Sequence, residues 1–323
     1  MPVISVITSC LNPDPQDFSA LRSLEAQTLL DFEWIVVDDG SEPDRGEWFE
    51  ALQNQKKVVV KVLRLDQNSG QAVARNRAIS VAQGEWIVVL DSDDALEPDF
   101  LERMLEAARN AQNSKVLMFA CTKHVFVESS RTWINHPPDW LKPDPIEQLS
   151  ILLHRPFLSH CGVFFSNHII CDLGMYDESL VSDEDGDLLI RVLFEGYHFQ
   201  PVSNVHYLYR HCRKSGDRVS VNDSLDKIDA RLRVCNKVLL TLNTREFASN
   251  HQLRAGLAKR IDNLALSAWS LDRQRCRDLL GFANDVCPNY EWSGTERDRV
   301  IRQFVGVAGL AFLKRVGAAL RNL

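Results

Sequence analysis

The sequence predicts an α/β fold, a Rossmann-like, mostly parallel sheet with helices on both faces, followed by a helical C-terminal region. Three observations lead there. Short runs rich in Val and Ile recur at residues 3–8, 33–37, 58–65, 85–90 and 116–121. These runs are apolar almost throughout instead of alternating, as expected of strands covered on both faces. Between them, residues 18–26, 71–82 and 98–111 place apolar side chains at helical spacing, and strands alternating with helices define a parallel sheet with crossover helices.

Each element has its own justification. Val3-Ile4-Ser5-Val6-Ile7-Thr8 lacks a basic leader and a long apolar run, so it reads as a first strand and not as a signal peptide. Phe18, Leu21, Leu24 and Leu29 share a helical face. Residues 33–37 and 58–65 supply the second and third strands, and residues 71–82 a helix with Ala, Val and Ile on one side. Residues 85–90, 98–111 and 116–121 follow as strand, helix and strand. Residues 129–158 read as irregular, because Pro137, Pro138, Pro143 and Pro145 oppose regular structure; either a substrate-shaping loop or a plain connector fits. Helical spacing returns at residues 183–194, and from about Asn222 the chain reads helical to its end. The expected division is an α/β domain at 1–221 and a helical extension at 222–323.

Composition narrows the function. The chain has 323 residues and 45% hydrophobic content, enough for about two domains with a full core. A net charge of −7 argues against broad nucleic-acid binding, which needs a basic face. Eight cysteines include no Cys-x-x-Cys pair; they read as buried small hydrophobes in a reducing compartment. No run reaches the roughly 18 apolar residues of a membrane span, so a cytoplasmic protein is expected.

Ligands of open parallel sheets bind beyond the carboxyl ends of the strands. Here those ends lead into Thr8-Ser9-Cys10-Leu11-Asn12-Pro13, Asp38-Asp39-Gly40-Ser41, Asn68-Ser69-Gly70-Gln71 and Asp91-Ser92-Asp93-Asp94. Asp91, Asp93 and Asp94 repel one another. A hard cation with oxygen ligands would compensate them, and so would a role in capping the next helix. Asp38 and Asp39 suit either hydrogen bonds to a base or ribose, or an Asx turn. Asn68, Gly70 and Arg75 lie at a helix start that suits an anion or serves as an ordinary loop. Asp183, Glu184, Asp185 and Asp187 open a helix and either compensate its dipole or include a general base. His211, in a basic segment continuing through Arg218, is a metal-ligand candidate or an ordinary hydrogen-bonding residue. No Gly-x-Gly-x-x-Gly or Walker-type loop is present, which disfavours dinucleotide and P-loop enzymes.

In order and spacing these segments resemble family-2 glycosyltransferases of the GT-A fold over residues 2–220. The matching motifs are Trp34-Ile35-Val36-Val37-Asp38-Asp39-Gly40-Ser41, Asn68-Ser69-Gly70 with Ala74-Arg75-Asn76 and Gly84, Asp91-Ser92-Asp93, and Gly174-Met175-Tyr176-Asp177-Glu178 with Glu184-Asp185, Leu188 and Arg191. The resemblance implies an inverting transfer of a sugar, a hexose by expectation, from a nucleotide-diphosphate donor, with Mn²⁺ or Mg²⁺. Asp39 would contact the base and Asp91 the ribose. Thr8, Asn12, Asn68, Gly70, Arg75 and Ser92 would line the donor site. Asp93, with His211 as a candidate, would hold the cation, and Asp185 would be the base. Flanking acids are expected to raise the Asp185 pKa. The acceptor would be a glycan or a lipid-linked glycan. The Gln-x-x-Arg-Trp motif of processive synthases is absent. A nucleotidyltransferase and a non-catalytic sugar-nucleotide binder are the rival readings. Residues 300–323 form an amphipathic basic pattern, suited to its own domain, a second subunit or an anionic membrane surface.

Overall fold

A computed structural model describes residues 2–111, 113–127, 129, 131–136, 141–155, 157–211, 223–244 and 247–290. The chain opens with β1 (Ile4–Cys10), α1 (Ser19–Glu25), β2 (Phe32–Asp38), α2 (Gly46–Gln53), β3 (Val60–Arg64), α3 (Gln71–Ile79), β4 (Trp86–Val89) and the two-residue β5 (Ala95–Leu96). It continues through α4 (Phe100–Arg109), β6 (Val116–Phe126), β7 (Arg131–Asn135), α5 (Pro145–His154), β8 (Val163–Ser166), α6 (Asn167–Asp172), α7 (Glu184–Phe194) and β9 (His198–His211). Three helices follow: α8 (Leu225–Thr244), α9 (His251–Ala268) and α10 (Arg273–Val286).

The sheet runs β3-β2-β1-β4-β8-β6-β9-β5, with β7 added beside β6. The first four strands are parallel and in register, Ile7 opposite both Ile35 and Val89. Ile4, Val6, Ile7, Ile35, Val36, Ile87 and Val88 are fully buried, because these strands contribute side chains to both faces. The second half departs from the expected parallel order. β8 enters antiparallel between β4 and β6, while β6 and β9 are parallel to each other. The Val116 strand, β6, is separated from β4 by β8. The β6–β9 ladder jumps register after Ala120, whose partner is Val202, to Cys121, whose partner is His206. This bulge, with Asn204 at φ 55, re-aims the second half of β9 toward β5, where Leu208 pairs with Ala95.

Among the described residues of 129–158, two regular elements, β7 and α5, replace the expected irregular stretch. Pro145 is the first residue of α5, a position whose N–H needs no helical partner, so proline starts this helix instead of breaking it. The cysteine expectation also needs one change: Cys171 is exposed, while Cys10, Cys121, Cys161, Cys235, Cys276 and Cys287 are buried.

The chain forms two compact units, one from Met1–Gln148 and Phe157–Gly216, the other from Leu149–Pro156 and the chain from Asp217 onward. In the second, α9 passes so close to α5 that a Cβ on Gly256 would lie 2.8 Å from the Ser150 carbonyl oxygen. Expectations on residues 212–222 and 300–323 lie outside the described residues.

Candidate active site

The carboxyl ends of β1, β2, β3 and β4 gather the polar loops that the sequence singles out, and those loops fasten to one another. Asp39 Oδ1 accepts from the Ser69 N–H at 2.7 Å and Oδ2 from the Gly70 N–H at 2.9 Å. Gly40 lies against the same loop: at φ 76, a Cβ there would fall 2.3 Å from the Gln67 carbonyl carbon, so only glycine fits. Asp38 Oδ1 accepts from the Ser41 N–H at 2.9 Å. Asn12, at φ 46, donates its N–H to Ser41 Oγ at 2.7 Å and accepts the Glu42 N–H at 2.8 Å. Asn68 is exposed beside Ser69, and Gly70, at φ 96, precedes α3.

Thr8 is committed within the protein. Its hydroxyl donates to the Leu90 carbonyl at 2.7 Å and accepts the Trp34 indole N–H at 2.9 Å, and the residue is buried. Its role is to tie β1 to β4 and to fix Trp34.

The acidic turn divides its carboxylates. Asp91 pairs with Arg75 at 3.2 Å and is 34% exposed. Ser92 accepts the Ala20 N–H through its carbonyl oxygen at 3.3 Å. Asp94 is buried and binds the Tyr207 hydroxyl and, at 2.9 Å, the Arg210 N–H. Burial first, then the charges of Asp91 and Asp93, push its pKa up to about 8. Asp94 thus holds β9 to the turn, and the residue that precedes α4 is Asp99. Asp93 is partly exposed, and its carbonyl oxygen accepts from the Arg210 guanidinium at 3.1 Å.

Among the described residues, no three His, Cys, Asp or Glu side chains converge into a metal cage. The carboxylates of Asp91 and Asp93, both partly exposed, are hard oxygen donors of the kind that suit Mg²⁺ or Mn²⁺. His211 Nε2 lies 3.0 Å from His124 Nδ1, and its ring stacks on Phe126 with centroids 4.2 Å apart. It is Arg210 that reaches the acidic turn.

Arg75 departs from the phosphate-binding expectation. Its side chain is only 2% exposed, and it spans Asp91 and Glu184, the latter at 2.7 Å. Burial alone would lower the guanidinium pKa; the charges of Asp91 and Glu184 outweigh it and raise it. The next residue completes the clasp. Asn76 donates to the Tyr176 carbonyl and to Glu178, each at 2.9 Å, and accepts the Tyr176 N–H at 2.9 Å. Helix α3 therefore joins the acidic turn to the segment leading into α7.

At the start of α7 the acids point apart. Glu184 is buried against Arg75, and Asp187 binds the Arg191 guanidinium at 2.8 Å. Asp185 remains 42% exposed, with Oδ2 at 3.2 Å from His160 Nδ1. The rise expected at Asp185 does not occur; the shift there is downward. Burial and the Asp185 charge raise Glu184. Burial acts upward on Asp185 too, but the hydrogen bond and charge of His160, the charge of Arg75 and the Gly186 N–H hold it below the usual carboxylate range. His160 escaped notice in the sequence; a lone His in an apolar stretch gives no periodic signal.

Comparison with known proteins bears on the fold and the family. In fold the chain resembles S. aureus TarS, at TM-score 0.65 and 21% identity over 89% of this chain and 81% of that one. A TarS complex with UDP-GlcNAc gives TM-score 0.66 at 22% identity, covering 89% and 82%. Residues 5–173 match Glycosyl transferase family 2, and the chain belongs to that family. EpsH of Bacillus subtilis is 34% identical over 122 residues, 37% of this chain and 34% of its own length. The succinoglycan biosynthesis protein ExoO of Rhizobium meliloti is 36% identical over 108 residues, 33% of this chain and 30% of its own. The matched segment thus spans about a third of each of these two relatives.

Proposed function

We propose that this protein transfers a sugar, a hexose by expectation, from a nucleoside-diphosphate donor to an acceptor hydroxyl with inversion at the anomeric carbon. The observation that carries the reading is the Arg75 bridge. It fastens Asp91, at the end of β4, to Glu184, the neighbour of Asp185. A donor held at the strand ends would then lie beside an exposed carboxylate.

Asp91 serves the ribose, and the Asp39 loop shapes the base pocket together with Asn12, Asn68, Gly70 and Ser92. Asp39 itself reaches a base only by sharing the oxygens that now hold Ser69 and Gly70. Asp93 is the carboxylate assigned to Mn²⁺ or Mg²⁺, and His211 joins it only by exchanging its His124 partner. When bound, the cation neutralises the diphosphate that departs. Asp185 accepts the acceptor hydroxyl proton as that oxygen forms its bond to the anomeric carbon. The bond to the donor phosphate breaks, and the nucleoside diphosphate leaves. A base held below the usual carboxylate range stays ionised at neutral pH.

The UDP-GlcNAc complex of the structural neighbour makes UDP-sugars the first donors to try, and the succinoglycan role named for ExoO suggests a glycan or lipid-linked glycan acceptor. We assign donor binding and chemistry to residues 1–221, and acceptor, oligomer or membrane-surface contacts to residues 222–323. A thermal-shift screen of nucleotide sugars with and without Mn²⁺ tests donor binding, followed by measurement of nucleoside diphosphate release. Stabilisation without any release would identify a binding module and reject the transferase reading.

A further inference from the structure

His160 lies in a short turn, His160–Gly162, that leads into β8. Its side chain is 7% exposed, against 42% for Asp185. One edge of the ring presents Nδ1 to Asp185 Oδ2 at 3.2 Å. Cys161 Sγ lies alongside the ring, 3.4 Å from Nε2 and 3.9 Å from Nδ1. The turn has little room to shift. A Cβ on Gly162 would fall 2.6 Å from the Ala120 carbonyl oxygen, and Tyr176 packs edge-on to the imidazole with centroids 6.3 Å apart.

We propose that His160 is a positioning residue, donating its Nδ1–H to Asp185 Oδ2 so that Oδ1 is the oxygen presented to the acceptor hydroxyl. This rests on the reading of Asp185 as the base. A partly exposed aspartate rotates about both side-chain bonds, and each alternative rotamer takes the base off line. An anchor on one oxygen from a buried ring removes that freedom and leaves the other oxygen open. Burial, and then the Asp91 charge, push the Cys161 thiol well above its ordinary range. It therefore keeps its proton and stays an uncharged neighbour of Nε2. The groups around Asp185 are Glu184, the Gly186 N–H and Asp187 on its own helix, Arg75 from α3, Tyr176 from the segment before α7, and His160. In the step itself the acceptor O–H bond breaks and the Oδ1–H bond forms, while Oδ2 keeps its bond from His160. The imidazole takes no proton.

The test uses the full chain labelled with ¹⁵N and ¹³C. The imidazole spectrum, with His160 identified by its loss in His160→Asn, is expected to show a proton on Nδ1; a bare Nδ1 would overturn the proposal. The Asp185 carboxyl, identified by its loss in Asp185→Asn, is then titrated. His160→Ala is expected to raise its midpoint by about 1–2 pH units, since an opposing charge or donor is lost. His160→Asn, whose amide nitrogen falls near the former Nδ1, should return the midpoint toward the wild-type value. An unmoved midpoint in His160→Ala sinks the idea. Should that variant not fold, His160→Gln replaces it, because its amide reaches the Nε2 side instead.

With a donor from the nucleotide-sugar screen, His160→Ala is expected to lower kcat by about ten- to a hundredfold at unchanged donor KM, and His160→Asn to recover most of it. A raised KM with intact kcat counts against positioning. Retained transfer in Asp185→Asn would reject the base assignment, yet leave the NMR result on the hydrogen bond intact, so the two failures are separable.

Discussion

Glu184, Asp185 and Asp187 show how neighbouring acids acquire different work. Successive helical residues turn by about 100°, so three carboxylates of one turn face three environments. Glu184 meets Arg75, Asp187 meets Arg191, and Asp185 meets His160 and solvent. Asp185→Asn is expected to cut transfer by about 10²–10⁴-fold while donor still raises the melting temperature; wild-type turnover would reassign the base. The pH profile separates the candidates independently. A base must be deprotonated, so its folded pKa sets the acid limb of kcat. Asp185 is held low, and the rate should therefore hold at pH 5. Glu184 is raised; a rate that already falls above the ordinary carboxylate range would point to it instead. Thr8 gives a contrasting case. Thr8→Val strands the buried Trp34 N–H and should cost about 1–3 kcal/mol in denaturant unfolding, with donor KM unchanged.

At the scale of elements, α3 is the clasp. Arg75→Ala leaves Glu184 buried beside Asp185 without its cation, and breaking such a pair costs about 3–5 kcal/mol. The expected result is a large loss of stability in chemical denaturation, not a selective loss of donor affinity. Gly40→Ala meets both a positive φ and the Gln67 backbone; it should displace the Asp39 loop and raise donor KM, read by calorimetric titration of the nucleotide. β1 to β4, α1, α3 and α4 were legible because each is a run of one periodicity, whereas α2 and the two-residue β5 were not read from the sequence. α5 was not, since Pro145 and Pro143 look like breakers until the helix start is located. β9 was legible only as an aromatic strand ahead of Tyr209: Pro201, the bulge after Val202 and mixed polar residues spoil any alternation before it, and Tyr209–His211 belong to the strand instead of a loop. Bonds from Asn76 to Tyr176 and Glu178 explain why motifs a hundred residues apart occur together, although nothing in their spacing says that they touch.

For the whole molecule, donor binding should be visible as stability. A nucleotide sugar at about 100 times its Kd adds roughly 2.7 kcal/mol to the folded state, and Asp93→Ala should abolish the extra stabilisation that Mn²⁺ confers; an unchanged Mn²⁺ increment would remove Asp93 as the ligand. No described helix is long and apolar enough to cross a membrane.

The sequence by itself determined the parallel half of the sheet, the loops at its carboxyl ends and the family. These depend on local periodicity and on short motifs that chain order preserves. Only the tertiary structure decided which acids are structural and which are open to chemistry. Thr8, Arg75 and Asp94 are chemically suited to a donor, but each is buried and committed to protein partners. His160 carries no motif, yet lies 3.2 Å from the exposed Asp185. Burial and pairing arise between segments far apart in the chain, and a side chain's charge state and freedom follow from them.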